Sequence, residues 1–166
     1  MRYLIGFAFA FALALVQTSS INQFHALGVS PNLVLVLLVT WLVVRGLDDV
    51  LPMVACAGIT TGLIGLQSPG VALLALLIPI VMLGFVRELR VIHSDVVLVV
   101  AFVAVASVLY ESVILAGVMI TGGVLDPATA YASAVVPAAI VNLAITLPVF
   151  AVMRLAKPPA RPRFSY

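Results

Sequence analysis

Charge is the scarcest feature of this sequence: 166 residues carry eight Lys and Arg, six Asp and Glu and two His, and 64% of the chain is hydrophobic. A soluble domain carries about a quarter of its residues as charges, so a water-soluble globule is excluded. No charged residue falls between Arg2 and Arg45, Asp49 and Arg87, Asp95 and Glu111, or Asp126 and Arg154. The single cysteine, Cys56, rules out an intrachain disulfide and any Cys-based redox or metal motif. No polar stretch exceeds about a dozen residues, too short for a self-folding module of about 40. The chain also lacks H-E-x-x-H, G-x-S-x-G and G-K-[ST] motifs. Asp48 and Asp49 are expected on one side of the membrane and Asp126 on the other, so no acid pair can meet within it and enzyme activity is not expected. His25 and His93 likewise fall on opposite sides, which excludes a shared metal site, and no cofactor is expected.

What remains is a series of long apolar runs, and the expected fold is an all-α polytopic membrane protein forming one transmembrane domain. Division at charges, Gly/Pro clusters and capping residues gives six spans, about 3–22, 31–44, 50–66, 69–86, 96–120 and 127–155, followed by a tail at 156–166. The first run, with Arg2 before it and Ala12-Leu13-Ala14 near its end, also reads like a secretory signal; we count it as the first helix. Ser30-Pro31, Ser68-Pro69 and Asp126-Pro127 each place an oxygen acceptor at an N-cap and proline at the first helical position. Asp49 and Asp95 are expected to cap the third and fifth spans, and Pro79, Pro137 and Pro148 to kink the fourth and sixth.

Six spans put all eight basic residues on the side of the two termini, which is therefore expected to be cytoplasmic. A five-span arrangement would set Arg87 and Arg90 opposite Arg2. Trp41 is expected to anchor the second span at the interface, and the Lys157–Tyr166 tail to lie in solvent or against anionic headgroups.

Glu111 is the one acid well inside a span, where a charge costs at least a few kcal/mol and marks a functional candidate by default. Depth arithmetic places Gln17 about 22 Å and Glu111 about 24 Å from the starts of their helices, so the two are expected to share a polar layer near the outer face. Asn142 is the third candidate for an intramembrane polar site. Small residues at helix-packing spacing, Ala8/Ala12, Ala10/Ala14, Gly58/Gly62 and Ala130/Ala134/Ala138, offer close backbone approach inside the bundle or to another membrane protein.

The chain resembles the bacterial rod shape-determining MreD family. The likeness rests on Gln17-Thr18-Ser19 closing the first helix, Pro31-Asn32-Leu33 opening the second, and the third helix running into Gly65-Leu66-Gln67-Ser68-Pro69-Gly70. An acid common in that family before the Ser-Pro turn is missing, with Gly62 or Ile64 near its place. The resemblance implies a non-enzymatic subunit of the cell-elongation machinery in the bacterial inner membrane. Such a subunit binds the single-span protein MreC and, through it or directly, RodA with its class B penicillin-binding transpeptidase and MreB, without nucleic acid. The six-helix pattern is also similar to substrate-binding S-components of energy-coupling-factor vitamin transporters. In those proteins small residues on the first helix, like Ala8 and Ala12, dock the coupling subunit, and the vitamin lies at the depth expected for Gln17 and Glu111. A vitamin site needs several convergent polar groups, and the sequence offers few, which favours the scaffold.

Overall fold

A helix too short to cross a bilayer lies at the centre of the bundle. The computed structural model describes residues 8, 11–12, 14–15, 17, 29–65, 68–89, 94–122 and 126–155. Helix α1 (Leu33–Arg45) has 13 residues, of which Val34 through Thr40 are buried in succession. At 1.5 Å per residue it rises about 20 Å, against about 30 Å of hydrocarbon. Its side chains are wholly apolar apart from Thr40, Trp41 and Arg45, as a helix enclosed on all sides must be.

Around it stand α2 (Leu47–Ile64), α3 (Pro69–Glu88), α4 (Asp95–Ile120) and a closing rod made of α5 (Pro127–Ala130), a π turn (Tyr131–Val135) and α6 (Val136–Leu155). Helix α1 packs on α2, α3, α4 and α6, while α2 packs on α3, α3 on α4 and α4 on α6. Among the described residues, four helices, α2, α3, α4 and the rod Ala128–Leu155, are long and apolar enough to cross a membrane. The chain is thus an all-helical, multi-pass membrane protein. The expected second span is the short α1, and most of the expected first span lies outside the described residues, although Ala8, Phe11, Ala12, Ala14, Leu15 and Gln17 within it are helical.

Helices α2 and α3 form an antiparallel hairpin whose register is set by glycines. A Cβ on Gly58 would lie 2.7 Å from the Leu73 Cα, one on Gly62 would collide with Pro69, and one on Gly84 would come within 2.7 Å of the Leu47 side chain. In these three pairs the α3 partner retreats as the α2 residue advances; the backbones approach closely at Gly58 and Gly62, and Gly84 leaves room for the Leu47 side chain. Gly58 and Gly62 are therefore buried within the bundle.

Several helix ends differ from the sequence expectation. Asn32, not Ser30, caps α1, its side chain accepting from the Leu35 N–H at 3.0 Å. Helix α2 starts at Leu47, so Asp49 lies in its first turn with Asp48, where both favour the helix dipole; its N-cap is Gly46. Gly46 joins α1 to α2 at φ +103°, a backbone conformation that favours glycine. Ser94 stands at the N-cap of α4 with Asp95 as the first helical residue. Ser68 and Asp126 take the expected capping positions, bonding the N–H of Val71 at 3.4 Å and of Thr129 at 3.1 Å. Helix α3 continues through Pro79, and α6 through Pro148. Just ahead of Pro137 the rod widens into the π turn, which relieves the crowding of the proline ring against the preceding turn.

Arg45, Arg87 and Arg154 stand in the last turns of α1, α3 and α6, at one end of the bundle. There Arg87 Nε donates to the Val43 carbonyl at 3.2 Å, closing the end of α1, and the Arg45 guanidinium lies 5.2 Å from the Trp41 ring centroid. Trp41 is partly buried in that last turn.

Candidate functional site

The half-length of α1 creates an unusual requirement. The stretch of α4 from Asp95 to Ser107 rises about 18 Å and that of α6 from Asn142 to Leu155 about 20 Å, matching the length of α1. Helix α1 therefore occupies only the arginine end, and it begins near mid-depth. A helix start leaves four N–H groups without intrahelical acceptors, and hydrocarbon supplies none.

Side-chain amides from three segments meet this need. Asn142 Oδ1 accepts from the Asn32 N–H at 2.7 Å, Gln17 Oε1 from the Leu33 N–H at 2.8 Å, and Asn32 Oδ1 from the Leu35 N–H. The other end of the Gln17 amide donates to the Pro31 carbonyl at 2.8 Å. Asn142 Nδ2 donates to Ser107 Oγ at 3.0 Å, which ties α6 to α4 as well as to α1. Asn142 and Ser107 are buried, and Tyr110 adds a contact to the Asn32 side chain from the next turn of α4. Three of the four orphan donors thus receive acceptors, two of them from residues distant in sequence.

Gln17 and Asn142 are brought together through the backbone of residues 31–33, as members of one polar layer. Glu111 is not joined to them by a hydrogen bond. Both ends of the Gln17 amide are taken by the start of α1, so it makes no hydrogen bond to Glu111. Glu111 lies about 6 Å further along α4 than Ser107, partly exposed beside Tyr110. Among the described residues, no hydrogen bond reaches its carboxyl. Sequence reasoning missed Ser107, although Ser107, Tyr110 and Glu111 at i, i+3 and i+4 place three polar groups on neighbouring positions of one helix side.

The small-residue sets divide. Gly58, Gly62 and Ala138 are buried, Ala130 is partly exposed, and Ala8, Ala12 and Ala134 are exposed. No group of three His, Cys, Asp or Glu side chains that could hold a metal ion occurs among the described residues. His25, His93 and the 156–166 tail lie outside them.

Chemically, the layer is a lock: amides and hydroxyls satisfy a helix start that would otherwise be unpaired in an apolar medium. Glu111 is its neighbour with acceptor capacity to spare. Compared with known protein families, curated proteins and solved structures, the chain matches none.

Proposed function

We propose that this chain is a non-enzymatic subunit of the bacterial cell-elongation complex, placed in the inner membrane with both termini cytoplasmic. It binds an MreC-like single-span protein and helps organise peptidoglycan synthesis around RodA, its class B penicillin-binding transpeptidase and MreB. In this reading the N-terminal segment is the first of six helices and α1 a short second one, as in the S-component architecture. One observation carries the reading: Gln17, Asn32, Ser107 and Asn142 direct their hydrogen bonds inward to hold helices together, while small residues at Ala8, Ala12 and Ala134 face outward. Polar groups used in this way serve a rigid platform rather than a solute site, and outward small residues admit another helix. The sequence elements that resemble the MreD family support the same reading.

The test is purification of the tagged chain from its native membrane in mild detergent, with identification of what co-elutes. The expected result is the MreC-like protein in stoichiometric amount. A vitamin retained on the purified chain, with no such protein, would replace the scaffold by the transport-subunit reading.

A further inference from the structure

Helix α4 has two faces. One, with Val99, Phe102, Val103 and Ala106, is buried against the bundle, and Ser107 marks its edge, one turn from Glu111. The other carries Val97, Ala101, Ala104, Val108, Glu111 and Leu115, every one of them partly or fully exposed. Their spacing alternates four and three residues, the repeat with which one helix meets another in a left-handed crossing. From Val97 to Leu115 this seam runs about 27 Å, close to the thickness of the hydrocarbon core.

Glu111 sits in the seam with its carboxyl free of hydrogen bonds among the described residues. It lies about 14 Å short of the Ile120 end of α4, partly buried beside Tyr110. An acid at that depth is costly unless a donor faces it. The periodic seam has the form of a single helix's contact, and the carboxyl sets the chemistry that helix must bring.

We propose that this face of α4 receives one transmembrane helix of a partner protein, and that the partner places a hydrogen-bond donor, a hydroxyl, amide, ammonium or guanidinium side chain, against Glu111. The contact rests on the scaffold reading and identifies where and by what chemistry its single-span partner binds. A single polar residue in an otherwise apolar seam also fixes the register of the two helices.

The experiment co-expresses the chain with the MreC-like protein and measures co-purification per amount of folded chain for wild type, Glu111→Gln, Glu111→Leu and Ala104→Phe. A photo-crosslinking residue at Leu115 is compared with one at Ile78 on α3. Glu111→Gln keeps an acceptor and is expected to hold the partner, while Glu111→Leu loses it about tenfold, the effect of one interhelical hydrogen bond. Ala104→Phe keeps the carboxyl but blocks close approach, and is expected to lose the partner too. The crosslink from Leu115, and not from Ile78, is expected in the partner's membrane helix within a turn or two of a donor side chain. Wild-type retention by both Glu111→Leu and Ala104→Phe, or crosslinking from Leu115 to lipid alone, overturns the proposal and leaves the scaffold reading standing. If no MreC-like protein co-purifies with the wild-type chain, both fall.

Discussion

Replacing Asn142 by leucine removes an acceptor and a donor from the middle of the bundle at once. The Asn32 N–H, now 2.7 Å from Asn142 Oδ1, loses its acceptor in a place where neither water nor lipid replaces it. A buried unpaired donor costs about 1–3 kcal/mol. The Ser107 bond at 3.0 Å is lost with it, and an interhelical side-chain bond in a membrane contributes about 0.6–1.7 kcal/mol. Leucine has similar bulk and gains nothing by leaving water, so the net loss is about 2–4 kcal/mol. Ser107→Ala breaks only the second bond and is expected to cost under about 1.5 kcal/mol. The two variants are compared by unfolding in detergent titrated with a denaturing surfactant, and by hydrogen exchange at the start of α1. Asn142→Leu should lower stability clearly more than Ser107→Ala and unprotect the amides of Asn32 and Leu33. Combining it with Gln17→Leu should cost less than the sum, because both substitutions release the same first turn. An Asn142→Leu protein with wild-type stability and intact protection at Asn32 would refute the account of α1 as a capped half-helix.

Gly58→Leu and Gly62→Leu force a side chain into the backbone of α3 and should reduce folded yield in the membrane, as overpacking costs about 1–3 kcal/mol or more. Ala8→Leu and Ala134→Leu, at exposed positions, should leave that yield nearly unchanged. Reporter fusions after Arg45, Arg90 and Tyr166 are expected to read cytoplasmic and those after His25, Gln67 and Asp126 external; a cytoplasmic signal at Gln67 would break the six-span topology. The hydroxyl and N–H of Thr129 hold the Asp126 carboxyl below its ordinary range. Its capping contribution is therefore complete above the ordinary carboxylate pKa and is lost as pH falls through the lowered one. Hydrogen exchange over 127–130, followed on acidification, should show the turn opening only below that ordinary range.

The long helices were legible because their ends are marked locally. Ser68-Pro69 and Asp126-Pro127 carry a cap and a first-turn proline within two residues, and charge-free runs fix the lengths between them. The start of α1 was not legible, since the groups that decide it, Gln17 and Asn142, stand 16 and 110 residues from the N–H groups they hold. Ser30-Pro31, read as a local cap, puts the start of that helix two residues early. The glycines at Gly58 and Gly62 announced close packing by their spacing, but sequence could not say that α3 was the partner, because that depends on the hairpin register.

The distance between Asn32 and Asn142 has a consequence for biogenesis. Helix α1 leaves the ribosome early, too short to settle across a bilayer by itself and with a start whose acceptor lies 110 residues later in the chain. At about 5–20 residues per second, translation reaches Asn142 roughly 5–20 s afterwards. During that interval α1 must be sheltered, by the insertion machinery or at the membrane surface, and it can take its place at the centre only when the last helix arrives. Truncating the chain before Asn142 should therefore strand not the missing helix alone but the one already made.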